Sequence, residues 1–379
     1  MPSLPETEPQ SSTSPRRSRV AEDLKVFATE WMRLNAIDLL VLAVVGGLSF
    51  AIYHAPMTVV RTFPISFTGS GDIIYPEWAY PYRGWILPSW LAGLISIAGP
   101  ILIYMLAQIR VKSAWDASNA IMGTVWALAL GSLFQVTIKQ LIGGFRPYFL
   151  DVCMPDISRA STHNKTGLNG VGFQQVMYTT EICTQTNRSM LKNAVTSFPS
   201  GHSTAAFAGF IFLFLWLNAK LKVWADHKPA FWKLALTMAP LLAAVMIACS
   251  LTIDAAHNWY DIVGGSIIGT VMAAASYRST YAAVLDWRFN HLPLQEKEPF
   301  EYSAEETSAI AAQTFTRSVG WGARRQWPDE QDGASSSNAF FAHHSTTRLP
   351  RGGGKTGQAA AAADGAGSKA RVLVGAEAV

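Results

Sequence analysis

Six uncharged, apolar runs fill the middle of the chain, at residues 39–55, 84–109, 117–138, 203–219, 234–253 and 262–277, the last continuing past Arg278 to Leu285. Each supplies about 17–25 helical residues, enough to cross a hydrocarbon core of roughly 30 Å. Backbone groups left unpaired in lipid are too costly for anything but a helix or a closed barrel, and the runs lack the alternation of barrel strands. Composition agrees: 50% of residues are hydrophobic and only 15% charged, against about 25% charged in soluble domains. The expected fold is an all-α integral membrane bundle of six transmembrane helices, with Pro88, Pro100 and Pro240 kinking three of them.

The net charge of +4 is small and dispersed, which argues against a nucleic-acid partner. Three cysteines cannot make a disulfide framework. No apolar segment precedes residue 37, so a cleavable signal peptide is not expected and the first span doubles as the targeting signal. The composition divides the chain into a disordered cytosolic tail at 1–36, a membrane domain at 37–289 and a low-complexity tail at 290–379. Basic residues in the N-terminal tail, at Arg110 and Lys112, and at Lys220, Lys222, Lys228 and Lys233 lie on one side, which the positive-inside rule makes cytosolic. Both termini are then cytosolic, and the long third loop, 148–198, is lumenal or extracellular. That loop holds basic residues of its own, but also two glycosylation sequons, at Asn164 and Asn187, and the cysteines Cys153 and Cys183. A Cys153–Cys183 disulfide suits an oxidising lumen, with two free thiols as the alternative. Oligomeric state is not legible.

Three polar clusters fall at the outer face. Lys139 and Arg146, seven positions apart at the end of the third run, can share one face. Pro199-Ser200-Gly201-His202 opens the fourth helix, where free N–H groups and the macrodipole favour an anion. His257 and Asp261, four apart, can pair so that one imidazole nitrogen is oriented and the other is left free. Each piece alone has a plainer reading: a snorkelling lysine, a capping serine, an interfacial His–Asp pair. Together on one membrane face they suit phosphoryl transfer.

Lys139-x6-Arg146-Pro147, Pro199-Ser200-Gly201-His202 and Ser250…His257-x3-Asp261 resemble the three signature motifs of the type 2 phosphatidic acid phosphatase superfamily. The stretch from Arg146 to Cys153 is similar to the lipid phosphate phosphatase group in particular. The resemblance implies a phosphatase/haloperoxidase-like helical core and a metal-independent, cofactor-free hydrolysis of phosphatidate, diacylglycerol pyrophosphate or a related lipid phosphate through a phosphohistidine. It implies His257 as nucleophile, Asp261 as its orienting carboxylate and His202 as the acid and base. Lys139, Arg146, Ser200 and Gly201 would hold the phosphate. One position departs: Leu251 stands where the motif carries arginine. The resemblance then leaves three options: a slower enzyme, a substitute donor from Arg159, Arg188 or Lys192, or a relative that binds lipid phosphate without turnover. On the first reading, Leu251→Arg speeds the reaction. A transporter is disfavoured because the charges gather at one face and not at the midplane.

Overall fold

The apolar runs fold as helices. The computed structural model describes residues 15–56, 61–65, 69–70, 74–159, 177–226, 228–295, 299–300 and 302. Among them are eight α-helices: α1 (Pro15–His54), α2 (Ser89–Val111), α3 (Ala114–Ile142), α4 (Phe149–Cys153), α5 (Arg188–Ala194), α6 (Gly201–Leu221), α7 (Phe231–Ile253) and α8 (Trp259–Thr280). The described sheet is one antiparallel pair, β1 (Phe63–Pro64) with β2 (Met177–Tyr178).

Helix α1 begins ahead of the expected boundary at residue 36. Pro15 suits a first helical position, and the polar stretch after it contains no further proline or glycine before Gly46. Polarity had suggested a tail where helix propensity carries the chain on. Pro88 does not kink a helix: it is the N-cap of α2, whereas Pro100 and Pro240 do lie inside α2 and α7. Five helices are long and apolar enough to cross a membrane: Trp31–His54 within α1, and α2, α3, α6 and α7. The sixth run forms α8, 22 residues long, but with Asp261, Ser266, Ser276 and Arg278 it is more polar, and its place as a sixth span is a proposal.

Helix α6 is the centre of the bundle, packed against α2, α3, α7 and α8. Phe210, Phe212, Leu213, Leu215, Trp216 and Leu217 are all buried, as expected of a helix that is apolar all round. Helix α8 meets it along one stripe that includes Asp261, Gly265, Gly269 and Ala273, all buried. A Cβ on Gly265 would lie 2.4 Å from the Ser200 carbonyl, and one on Gly269 would lie 2.5 Å from that of Thr204. Only glycine lets the two backbones approach so closely, the small-residue packing of membrane helices.

The two ends of the bundle differ. Beyond α3, a second apolar cluster gathers Phe63, Phe145, Phe149, Val152, Ile182, Leu191 and Ala256. Cys153 and Cys183 sit there at disulfide distance, with Cα atoms 4.6 Å apart. At the opposite end, Lys220 Nζ meets Asp116 Oδ1 at 2.7 Å, both side chains fully buried. Lys222 Nζ donates to Asn290 Oδ1 (2.9 Å) and His291 Nδ1 (2.8 Å). These bonds dock the segment after α8, so ordered structure runs past the boundary drawn at 290. The rest of the C-terminal tail, residues 1–14 and Asn164 lie outside the described residues.

Candidate active site

The last turn of α3 delivers Lys139, and the chain then turns through Gly143 and Gly144, both at positive φ (64° and 123°), where glycine is unstrained. That turn pairs with the segment entering α6. Ser197 N donates to Gly144 O (3.0 Å), Phe198 N to Gly143 O (3.1 Å) and Arg146 N to Ala194 O (2.9 Å). Lys139 and Arg146 are thereby brought against residues 193–198. Lys139 Nζ donates to the carbonyls of Thr196 (3.1 Å) and Ser197 (3.4 Å).

Arg146 is 2% exposed. Its Nε donates to Asn193 O (2.7 Å), Nη2 to Asn193 Oδ1 (3.0 Å), and Nη1 to Ala256 O (2.6 Å) and His257 Nε2 (3.0 Å). The Trp85 ring centroid lies 5.3 Å from its Cζ, within cation–π range.

His257 does not share a helix with Asp261, contrary to the expected spacing. It sits in the turn before α8, and Asp261 is in the first turn of that helix, with Asn258 as the cap. Asp261 Oδ2 accepts from Asn258 N (2.9 Å), the reciprocal bond of a capping box. The same oxygen lies 3.4 Å from His257 Nδ1. One carboxylate therefore caps the helix and faces the histidine. Burial, reinforced by Arg146, Lys139 and His202, holds the His257 pKa well below its ordinary value, so the ring is neutral at neutral pH.

His202, in the first turn of α6, donates from Nε2 to Leu87 O (2.9 Å) and packs its ring 4.9 Å from that of Trp85. With Nε2 so engaged, Nδ1 is the ring nitrogen left for another partner. Ser200 is the α6 N-cap. Its hydroxyl accepts from Ser203 N (3.4 Å), and its own N–H donates to Asp261 O (3.0 Å), which docks α6 on α8.

Lys139, Arg146, Gly201, His202 and His257 all line one cavity of about 620 Å3. Ser200 and Asp261 stand behind it. From Lys139 the cavity follows α3 inward to Val125, about 21 Å of helix. Its inner walls are Gly46 and Phe50 of α1, Gly93 of α2, and Leu128 and Ala129 of α3. One end is therefore cationic and the other apolar.

Leu251 does not line this cavity. It is fully buried in the apolar cluster with Phe145, Val152 and Ile182. None of the three residues weighed as substitutes lines it either. Lys192 Nζ donates to the α1 carbonyl of Tyr53 (2.8 Å) and to that of Ala55 (2.6 Å), and Arg159 pairs with Asp156. The motifs also gave no sign of Asn193, which grips Arg146 twice, of Ser197 beside Asp261, or of Trp85. Asn193 lies in the short helix α5 and Trp85 and Ser197 lie in loops, all outside the motif positions, so only the fold brings them in. Among the described residues, no group of three or more His, Cys, Asp or Glu is placed to hold a metal ion.

Residues 120–284 match the family description "PAP2 superfamily". The chain is 29% identical over 207 residues to lipid phosphate phosphatase 2 of Arabidopsis thaliana, an alignment covering 55% of this chain and 66% of that protein. It is 32% identical over 168 residues to diacylglycerol pyrophosphate phosphatase 1 of Saccharomyces cerevisiae, covering 44% and 54%. A PA-phosphatase related-family protein of Dictyostelium discoideum is 28% identical over 277 residues, covering 73% and 76%. The chain thus spans somewhat less than two thirds of the length of the Arabidopsis and yeast relatives. No solved structure matches.

Proposed function

Residues 120–284 match the PAP2 superfamily, and from that match we propose that the chain is a membrane lipid phosphate phosphatase. Its substrate is phosphatidate, diacylglycerol pyrophosphate or a related lipid phosphate. The observation that carries this reading is the His257 ring: neutral, with Nε2 at the cationic end of a cavity whose other end is apolar. A lipid phosphate is its complement, with an anionic head and an apolar tail. The lipid phosphate phosphatase and diacylglycerol pyrophosphate phosphatase relatives support it.

The reaction uses no metal. The Nε2 lone pair attacks phosphorus, the bond from phosphorus to the lipid oxygen breaks, and His202 gives that oxygen its proton. Arg146, Lys139 and the free N–H groups opening α6 at Gly201 hold the charge on the remaining oxygens. His202 then takes a proton from water, the hydroxide attacks phosphorus, and the phosphohistidine bond breaks to release phosphate. Arg146 Nη1, which donates to Nε2 here, turns to the phosphate oxygens when substrate enters.

Phosphate release from phosphatidate by the detergent-solubilised chain, with a chelator present, tests this. Turnover lost by at least about 1,000-fold in His257→Ala is expected. Absence of turnover, or equal turnover in the variant, overturns the reading. The buried Leu251 favours a second reading, a relative that binds lipid phosphate without hydrolysing it. Saturable phosphatidate binding with no phosphate release is the result that selects it.

A further inference from the structure

The hydroxyl of Ser197 is fully buried between the two groups that define the nucleophile. It lies 2.5 Å from Asp261 Oδ2 and 3.4 Å from His257 Nδ1. A hydroxyl has one hydrogen, and an ionised carboxylate can only accept, so Ser197 donates to Asp261 and turns its lone pairs to His257. Nδ1 then faces two acceptors, Ser197 Oγ and Asp261 Oδ2, and it satisfies them only by carrying the proton. On the other side of the ring, Arg146 has only donors to offer Nε2. Both sides select the same tautomer, with the lone pair on Nε2.

Ser197 also fixes where this happens. Its carbonyl accepts from Lys139 Nζ and its N–H donates to Gly144 O, so one residue joins the end of α3 to the start of α8. Asp261 Oδ2 carries all four of the bonds found for this carboxylate: from Ser197 Oγ, Asn258 N, Asn258 Nδ2 and His257 Nδ1. Asn258 draws that oxygen toward the helix cap. Ser197 is the one donor of the four that approaches from outside the His257–Asp261 segment.

We propose that Ser197 is a positioning residue for phosphoryl transfer, whose hydroxyl holds Asp261 against His257 Nδ1 and so keeps Nε2 unprotonated and aimed. The inference rests on the phosphatase reading. It acts through Asp261, without contact to the substrate, and that fixes its kinetic signature.

The test measures kcat and KM for phosphatidate in the full chain and in Ser197→Ala, Ser197→Cys, Asp261→Asn and Ser197→Ala/Asp261→Asn. Cysteine is close to serine in volume but is a weak donor, and it guards against an alanine variant that does not fold. Loss of a hydrogen bond to a charged group implies a kcat lowered about 10–100-fold in both Ser197 variants, with KM little changed. Because Ser197 works through Asp261, the double variant is expected to be no slower than Asp261→Asn alone. Unchanged kcat in either Ser197 variant, or losses that multiply in the double variant, overturns the proposal. So does failure of both variants to fold, which assigns Ser197 to the fold alone. A wild type with no turnover overturns the phosphatase reading itself, and a turning-over wild type beside unaffected Ser197 variants overturns only this inference.

Discussion

Leu251 occupies the position where the resembling motif carries arginine, yet nothing around it is built for a cation. Its neighbours are Phe145, Val152, Ile182 and Ala256, and it is fully buried. The backbone on either side is committed too, since Leu251 O accepts from Ala256 N at 3.0 Å in the turn that leads to His257. From the sequence alone, Leu251→Arg restores a phosphate contact and speeds turnover. The structure reverses that expectation. A guanidinium placed there loses its water inside an apolar cluster, and a buried charge left uncompensated costs about 3–5 kcal/mol. We expect Leu251→Arg to lower the thermal midpoint and leave kcat unchanged or reduced. A variant as stable as wild type with a higher kcat refutes this. The candidate residues were legible only as a set, because each alone has a plainer reading and only their gathering at one face, where ionisable groups are rare and costly, singles them out. Their partners were not. Asn193 in α5 and Ser197 in the loop after it are ordinary polar residues until the pairing of Gly143 and Gly144 with Ser197 and Phe198 sets them beside Arg146 and Asp261.

Among the elements, the α6–α8 contact does most to hold the site together. It carries Ser200 N to Asp261 O and brings the first turns of the two helices side by side. Gly265 is where the contact is closest: an added methyl would meet backbone, the Ser200 carbonyl at 2.4 Å, which cannot rotate away. Gly265→Ala is therefore expected to destabilise the bundle by about 1–3 kcal/mol and to lower kcat as well, since it pushes the start of α6 from Asp261. Thermal unfolding and phosphate release on the same preparation check this. Wild-type values for both mean the helices have room that the structure denies. The periodic runs announced the helices, and the Gly265-x3-Gly269 spacing was an available signal for this packing. The boundaries were less legible. Composition placed the start of α1 near residue 37, where polarity changes, but polar residues with good helix propensity continue it back to Pro15. The pairing of His257 with Asp261 was read correctly and its geometry was not, because four residues apart also describes a turn followed by a capping box.

For the whole molecule, orientation turns on which side of the membrane holds the site. The two ends of α6 carry opposite furniture, His202 at one and Lys220 at the other, so the active-site end and the Lys220–Asp116 end face opposite sides if α6 crosses once. Counting basic residues decides poorly between them. Arg146, just ahead of the long loop, is buried in the site, while Lys220, Lys222 and Lys233 at the other end are buried as well, and none of the four is a free loop charge of the kind the positive-inside rule counts. Asn187 offers a cleaner test. It is exposed at the N-cap of α5, in the loop on the active-site side. Its Oδ1 accepts from Ser189 N and Met190 N, both at 3.1 Å. A glycan attaches to the amide nitrogen and leaves that oxygen free to cap, so modification and fold are compatible. We propose that the site faces the lumen or cell exterior, with both termini cytosolic. Expressed in a eukaryotic cell, the chain should then migrate as a glycoprotein. Digestion with a peptide N-glycosidase should speed its migration, and Asn187→Gln should remove part of the shift while preserving phosphate release. An undigested band identical to the digested one, together with labelling of the loop only from the cytosolic side, places the chemistry on the cytosolic face and reverses the orientation of every span.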